Sequence, residues 1–224
     1  MNAAVIVAGG ASRRMGGAVN KLLLELEGLP VLGHTWRRFD SAPGIDEIVI
    51  VNSEMDDGEL QSLASQLSLK KPWHRAASGA ERQDSVWNGL QSVAVACELV
   101  AIQDGARPCT SLDTIAATLE AASVTGAAVA ASKVTDTLKE AGTKNQIACT
   151  IDREKLWAVQ TPQVFRRGII VRALEAVRDQ GLNITDDTAA CELIGQPVRL
   201  VASDTPNPKV TTPSDLPLIA SLLR

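Results

Sequence analysis

Short apolar runs alternate with stretches of helical periodicity along this chain. Ala3–Ala8 and Leu99–Gln103 are continuous apolar runs that predict buried strands. Between such runs, apolar residues recur every three or four positions, as in Val31–Phe39, which predicts a helix with one buried face. Because strands that alternate with helices form a parallel sheet covered on both faces, we expect an α/β fold with a mostly parallel sheet.

The same patterns assign most of the chain, and residues 1–224 are predicted to form a single domain. Thr161–Gln163 is predicted to be a turn that enters a helix. Strands are predicted over Ala3–Ala8, Ile45–Val51, Leu99–Gln103, Ala127–Ala131 and Val198–Val201, and helices over Val31–Phe39, Asp56–Leu69, Arg82–Ala96, Ser111–Ala122, Arg166–Asp179, Asp186–Leu193 and after Pro213.

Residues 133–155 break the alternation. Val134–Leu138 and Gln146–Ile151 look extended, and the polar stretch Lys139–Asn145 separates them, which is typical of a β-hairpin. A two-stranded ribbon is only marginally stable alone in water. We therefore expect a β-arm that leaves the main sheet and packs against a second subunit.

Composition and charge narrow the possible partners. The chain has 224 residues, enough to bury a sizeable core, and its formal net charge of −4 gives no support for a nucleic-acid partner. No apolar run approaches the ~20 residues of a membrane span. The four cysteines lack metal-ligand spacing, and the first predicted strand begins too near Met1 to leave room for a signal peptide. We expect a cytoplasmic protein with reduced thiols.

The loop Gly9–Lys21 is the strongest candidate for binding chemistry. It follows the first predicted strand, holds four glycines, and carries the cations Arg13, Arg14 and Lys21. Glycines let the backbone approach a ligand, and backbone N–H groups beside fixed cations bind phosphate. The loop matches neither G-x-x-x-x-G-K-[ST] nor G-x-G-x-x-G, so it favours a nucleoside triphosphate over a dinucleotide.

Two further segments are weaker indications of a ligand-binding site. Asp104 closes a predicted strand, where a carboxylate can hold Mg²⁺ or a ribose hydroxyl, although Asp-Gly is also a common turn. Ser78–Ser85 is by itself typical of a helix entry, with Gly79 and Ser85 as candidate nucleobase or ribose contacts.

Taken together and in order, seven segments resemble the 2-C-methyl-D-erythritol 4-phosphate cytidylyltransferase family. Each segment is weak alone, but the ordered set runs nearly from end to end of the chain. The matching segments are Ala8–Met15 with Lys21, Glu81–Val86, Asp104–Pro108, Asp136–Lys139, Asp152–Phe165, Ile184–Asp187 and Lys209–Leu216.

The resemblance implies a Rossmann-like nucleotidyltransferase sheet and a reaction in non-mevalonate isoprenoid biosynthesis. CTP and methylerythritol phosphate would give the CDP-alcohol and pyrophosphate, with Mg²⁺ or another divalent cation. A homodimer would form through the arm, so that its residues complete the partner's site. By matching position, the catalytic residues would be Arg14, Lys21 and Lys209, and the metal ligand would be Asp104. The nucleotide site would consist of Ala8, Gly9, Gly10, Gly79, Ser85 and Asp104. The sugar-phosphate site would consist of Thr137, Arg153 and Thr185.

The chain departs from the family pattern at four positions near the predicted site. Asn20 stands where proline is common, Gln103 where histidine is common, Gly105 where alanine is common, and Ala80 where a polar residue is common. Two alternatives remain open: a ribitol-5-phosphate cytidylyltransferase and a non-catalytic nucleotide-binding domain. Asp136–Lys139 and the Leu156–Trp157 neighbourhood favour the methylerythritol enzyme over the ribitol enzyme.

Overall fold

The computed structural model describes residues 1–9, 20–53, 55, 57–203 and 205–224. Its elements agree with the predicted α/β class. The strands are β1 (Asn2–Val7), β2 (Glu25–Leu26), β3 (Leu29–Pro30), β4 (Glu47–Val51), β5 (Trp73–Ala76), β6 (Leu99–Asp104), β7 (Ala127–Lys133), β8 (Leu138–Ala141), β9 (Ile147–Ile151), β10 (Trp157–Arg166) and β11 (Arg199–Ala202). The helices are α1 (Val31–Ser41), α2 (Asp57–Leu67), α3 (Arg82–Ser92), α4 (Leu112–Thr125), α5 (Arg167–Asp179), α6 (Asp187–Leu193) and α7 (Leu216–Leu223).

Across the described residues, seven strands form the central sheet in the order β11-β7-β10-β6-β1-β4-β5. β1 pairs in parallel with β4 and β6, β4 with β5, and β7 with β11. β10 lies between β6 and β7 and runs antiparallel to both. The mostly parallel sheet predicted from the sequence is therefore confirmed.

The prediction for Thr161–Gln163 is wrong, because these residues lie inside β10 rather than at a helix entry. The Thr161–Pro162 peptide bond is cis, and the pairing of β10 with β7 shifts between Val159 and Gln163. Proline cannot donate to a sheet and is rare in central strands, so local sequence rules disfavour this strand. Its pairing with both neighbours is a tertiary effect.

Both faces of the sheet are buried. Alternate residues of β1 enter two separate clusters: Ala4 and Ile6 join one, while Val5 joins the other. The first cluster packs against α1, α2, α4 and α7, and includes the buried Trp36. The second packs against α3, α5 and α6. This two-sided burial is why the strands read as continuous apolar runs.

The predicted arm is present as a separate antiparallel pair, β8 with β9, with Leu138 opposite Ile151. Its first strand is shifted from the predicted Val134–Leu138 to Leu138–Ala141. Of the predicted polar stretch, Lys139–Ala141 belong to this strand, while Thr143–Asn145 form a 3₁₀ turn in which Lys144 and Asn145 have positive φ angles of 56° and 57°. Among the described residues, no helix is long and apolar enough to cross a membrane.

Candidate active site

The carboxyl ends of β1 and β6 place the predicted nucleotide residues side by side. Val7 is in register with Asp104, and the Gly105 N–H donates to the Val7 carbonyl at 2.9 Å. Ala8, directly after β1, is buried, and its carbonyl accepts from Asn52 Nδ2 at 3.0 Å. Ligands of open α/β sheets bind at this edge. The predicted residues Gly10 and Arg14 lie outside the described residues.

Asp104 is a buried carboxylate surrounded by cations. Its Oδ2 lies 2.7 Å from Lys209 Nζ and 3.8 Å from Arg107 Nε, and its Oδ1 lies 3.4 Å from Arg82 Nε. Burial alone would raise the pKa of Asp104, but the positive charges of Arg82 and Lys209 outweigh burial and hold the pKa at about 2. The carboxylate is therefore ionised at neutral pH.

Two predicted catalytic lysines, far apart in sequence, meet at this edge. Lys21 Nζ donates to the Val210 carbonyl at 2.8 Å, which lies one residue beyond Lys209. The Val210 N–H in turn donates to the Ala106 carbonyl at 2.9 Å, in the turn after Asp104. The structure thus brings Lys21, Lys209 and Asp104 into one cluster, as the resemblance implies.

A buried asparagine fixes the segment that carries Lys209. Asn207 Nδ2 donates to the Thr161 carbonyl at 2.9 Å, and its backbone carbonyl accepts from Arg107 Nη1 at 2.6 Å. The Asp104 N–H donates to Thr161 Oγ1 at 3.1 Å. Thr161 in β10 therefore connects the Lys209 segment with the end of β6.

The predicted glycines lie where two backbones approach closely. A Cβ atom on Gly9 would lie 1.8 Å from Ser78 Oγ, and one on Gly79 would lie 2.2 Å from Asp84 Cβ. The Gly79 N–H donates to Ser85 Oγ at 3.0 Å, and that hydroxyl donates to the Glu81 carbonyl. Ser85 thus shapes the entry to α3, next to the end of β1.

The structure assigns places to Arg82 and Asp187, which the sequence did not single out as functional. Arg82 Nη1 lies 2.8 Å from Oδ2 of Asp187, a fully buried side chain. Burial disfavours the charge on Arg82, yet the carboxylates of Asp187 and Asp104 raise its pKa above the usual value. Both residues lie inside segments that carry the family resemblance, and only this could have indicated from the sequence that they belong to the site.

The three predicted sugar-phosphate residues, Thr137, Arg153 and Thr185, are exposed. Thr185 directly precedes Asp186, the N-cap of α6, and so lies near Asp187. Arg153 Nη1 donates to the Thr135 carbonyl at the base of the arm. Within the part of the chain that the structure describes, no hydrogen bond or ion pair joins Thr137 or Arg153 to the Asp104 cluster.

Two of the departures from the family pattern have structural roles here. The Asn20 side chain accepts from the Leu22 N–H at 3.0 Å and caps the short 3₁₀ helix Lys21–Leu23. Gln103 Nε2 donates to the Asp104 carbonyl and to Thr110 Oγ1, which holds the turn after β6. Nothing in the structure explains Ala80, which is exposed.

A metal ion bound at this edge would be coordinated mainly by the phosphates of a bound substrate rather than by protein side chains. In the described residues there is no group of three or more His, Cys, Asp or Glu side chains that could hold a metal ion. Asp104 is an ionised carboxylate in the cluster that also carries the two lysines. Mg²⁺ is commonly bound by one or two carboxylates together with substrate phosphates, and the Asp104 carboxylate fits that pattern.

The parallel sheet, the close backbone approach at its carboxyl edge and the lysine-rich cluster define a nucleotidyltransferase of the α/β class. The family model described as 2-C-methyl-D-erythritol 4-phosphate cytidylyltransferase matches residues 2–224. The chain belongs to this family.

Curated relatives and solved structures agree with this assignment. The chain is 41% identical to the 2-C-methyl-D-erythritol 4-phosphate cytidylyltransferase of Caldanaerobacter subterraneus, over 99% of this chain and 98% of that protein. It is 39% identical to the enzyme of the same name from Pelotomaculum thermopropionicum, over 99% and 94%. The crystal structure of the 4-diphosphocytidyl-2C-methyl-D-erythritol synthase of Anaerococcus prevotii superposes with a TM-score of 0.87 at 25% identity, covering 100% of this chain and 96% of that one.

Proposed function

We propose that this enzyme transfers a cytidylyl group from CTP to 2-C-methyl-D-erythritol 4-phosphate and releases pyrophosphate, as a step of non-mevalonate isoprenoid biosynthesis. The observation that carries the proposal is the meeting of Lys21, Lys209 and Asp104 at the carboxyl edge of the sheet, in a member of this family. The product is 4-diphosphocytidyl-2-C-methyl-D-erythritol.

The chemistry requires charge neutralisation more than proton transfer. The attacking group is a phosphate oxygen that is already anionic, so no strong base is needed. The barrier lies in bringing this anion to the α-phosphorus of CTP, which is itself surrounded by negative oxygens. Positioning and electrostatic stabilisation supply most of the catalysis in such transfers. Positive side chains that converge on one phosphorus atom meet this requirement.

We assign the stabilising roles to Arg14, Lys21 and Lys209. The Lys21 ammonium is fixed on the Val210 carbonyl and so lies beside the segment that carries Lys209. About a third of the Lys209 side chain is exposed, and it pairs with Asp104 at 2.7 Å. A substrate phosphate can therefore take over this ammonium without a rearrangement of the fold. Arg14 is assigned from its matching position in the glycine-rich loop.

Mg²⁺ is the proposed cofactor, with Asp104 as its protein ligand. The support is chemical, because this carboxylate stays ionised and lies at the nucleotide edge. When bound with the triphosphate, Mg²⁺ would neutralise charge on the phosphate oxygens. Ala8, Gly9, Gly10, Gly79 and Ser85 are proposed to form the nucleotide pocket, since Gly9 packs against Ser78 and Gly79 packs against Asp84 and Ser85.

We further propose that the enzyme is a homodimer and that the arm completes the partner's site with Thr137 and Arg153. Ile147 on β9 of the arm is 68% exposed. A large apolar side chain on a thin ribbon gains stability when a partner covers it. Thr185 would bind the sugar phosphate from its own chain. A cytoplasmic location is proposed as well, supported by four cysteines in the thiol form.

An acceptor panel tests the reaction. The purified enzyme is mixed with CTP and Mg²⁺ together with methylerythritol phosphate, ribitol 5-phosphate or no acceptor, and pyrophosphate release is followed. We expect release with methylerythritol phosphate alone. Release only with ribitol 5-phosphate would replace the proposed acceptor. Nucleotide binding without any release would indicate a non-catalytic domain.

A further inference from the structure

Arg82 joins three elements at the nucleotide edge. It is the first residue of α3, its Nε lies 3.4 Å from Asp104 Oδ1 at the end of β6, and its Nη1 lies 2.8 Å from Asp187 Oδ2 at the start of α6. One planar guanidinium thus bridges two carboxylates that are far apart in sequence. Lysine cannot reproduce this, since its ammonium is a single point charge.

Asp187 is the anchor of this bridge. Its side chain is fully buried, and within the described residues its Oδ1 has no hydrogen-bond partner while its Oδ2 pairs with Arg82. The Asp187 N–H donates to Gln163 Oε1 at 3.1 Å, which fixes the start of α6 on β10. A buried carboxylate needs a nearby cation, so Asp187 holds the guanidinium in one place.

Arg82 is also the most permanent of the three cations around Asp104. Lys209 is assigned to a substrate phosphate in the proposed reaction, and its side chain is the most exposed of these three cations, at 34% against 28% for Arg82 and 13% for Arg107. Arg107 Nε is more distant, at 3.8 Å, and its Nη1 is bound to the Asn207 carbonyl. When Lys209 turns toward a phosphate, Arg82 remains to hold the Asp104 carboxylate.

We propose that Arg82 is a positioning residue for nucleotide binding: anchored by Asp187, it fixes the Asp104 carboxylate at the nucleotide edge. The proposal rests on the proposed function, in which Asp104 faces the nucleotide and its metal. Arg82 touches neither substrate in this scheme and acts through Asp104. Removing a side chain that orients a ligating carboxylate typically lowers metal affinity or activity by 10–100-fold.

Three variants separate this role from simple neutralisation of Asp187. Arg82→Gln leaves the Asp187 charge buried and alone, so its unfolding temperature should fall. Asp187→Asn keeps Arg82 on Asp104. In the double variant Arg82→Gln/Asp187→Asn, position 187 carries no unpaired charge. Position 82 no longer places a positive charge beside Asp104. We expect the double variant to regain most of the unfolding temperature lost by Arg82→Gln.

Binding of CTP with Mg²⁺, measured by calorimetry without acceptor, is the deciding readout. Relative to the wild type, we expect about 10-fold or more weaker binding for Arg82→Gln and for the double variant, and less than threefold weaker binding for Asp187→Asn. The KM for CTP should rise more in Arg82→Gln and in the double variant than in Asp187→Asn. A double variant that binds and turns over CTP like the wild type would overturn the proposal, because Arg82 would then serve only to neutralise Asp187.

Arg178→Gln is the matched control. Arg178 also pairs with a carboxylate of α3, Asp84, at 3.6 Å, but it is more exposed and does not contact Asp104. We expect nucleotide binding within twofold of the wild type. If wild-type protein itself fails to bind CTP with Mg²⁺, the proposed function falls and this inference with it. If the wild type binds and the double variant binds equally well, the inference alone falls.

Discussion

At the scale of the residue, charge placement explains the site. Asp104 is ionised because cations outweigh its burial, and Lys21 and Lys209 meet because one donates to the carbonyl next to the other. Lys21, Lys209 and Asp104 are each held at the sheet edge by a hydrogen bond or ion pair, which places their charges before a substrate binds. Pre-oriented charges of this kind are the largest single contribution in many enzymes.

Lys21→Ala should lower turnover far more than stability. Loss of a group aimed at developing charge costs about 10²–10³ in kcat. Loss of its hydrogen bond to Val210 costs about 1–3 kcal/mol of unfolding free energy. Steady-state kinetics and urea unfolding measure the two effects. Lys70→Ala, at an exposed position outside the cluster, is the control. A folded Lys21→Ala enzyme with normal turnover would contradict the mechanism.

Asp215 should make stability depend on pH on the acid side. Its carboxylate accepts from the Thr211 hydroxyl and from the Thr211 and Thr212 N–H groups, and these bonds lower its pKa from 3.8 to about 2. An acid with a lowered folded-state pKa stabilises the fold above its unfolded pKa, and that stability is lost as pH falls through the folded pKa. Between pH 4 and 2, unfolding free energy should therefore fall less steeply in Asp215→Asn than in the wild type. Equal slopes in urea titrations would refute this role.

At the scale of the element, the residues that lead into α3 are closely packed and cap the helix. The Gly79 backbone packs against Asp84 and Ser85, and Glu81 and Asp84 form a reciprocal cap of the helix. Arg82 then begins the helix between Asp104 and Asp187. The start of α3 therefore transmits any change in the Gly79 loop to the carboxylate at the end of β6.

Gly79→Ala tests this element. The new Cβ would lie 2.2 Å from Asp84 Cβ, so the loop must move, at a cost of about 1–3 kcal/mol. We expect the KM for CTP to rise about 10-fold, since the loop belongs to the proposed nucleotide pocket, where small misplacements weaken binding. Gly168→Ala, whose Cβ would meet nothing within 4 Å, should leave KM unchanged and raise stability slightly. Equal KM values for both variants would exclude the loop from the pocket.

At the scale of the whole molecule, the described part of a single chain does not bring Thr137 and Arg153 to the Asp104 cluster. Thr137 and Arg153 lie on or beside the arm, without a described bond to the Asp104 cluster. The arm forms a sheet of its own and exposes apolar residues such as Ile147. A second chain that supplies these residues would both cover the arm and complete the site.

Mixing two defective chains tests for a shared site. Arg153→Ala is expected to raise the KM for the sugar phosphate, and Lys21→Ala to lower kcat by about 10²–10³-fold. If Arg153 acts in the partner's site, a heterodimer of the two has one intact site, and random mixing restores about a quarter of the sites. Activity is measured at low acceptor concentration after subunits are exchanged by mild denaturant and refolding. No gain over the sum of the separate variants would show that Arg153 acts within its own chain, or not at all.

Much of the fold followed from local patterns. Inner strands such as β1 and β7 contain continuous buried apolar runs, and the Ser111 side chain caps α4 by accepting from the Thr114 N–H, as its type predicts. Local patterns did not predict β10 as a strand, because its proline is unfavourable in a central strand. Pairing with β6 and β7 stabilises β10 there. The arm was found, with its first strand displaced by the turn at Lys144 and Asn145.

The amino-acid sequence by itself determined the alternation of strands and helices, the family, and which residue types are available for a phosphate site, since periodicity and ordered motifs are local properties of the chain. Tertiary structure decided which distant charges meet. The pairing of Lys209 and Arg82 with Asp104 and the burial of Asp187 depend on how β6, α3 and α6 pack, and no spacing along the chain encodes a distance across the sheet edge.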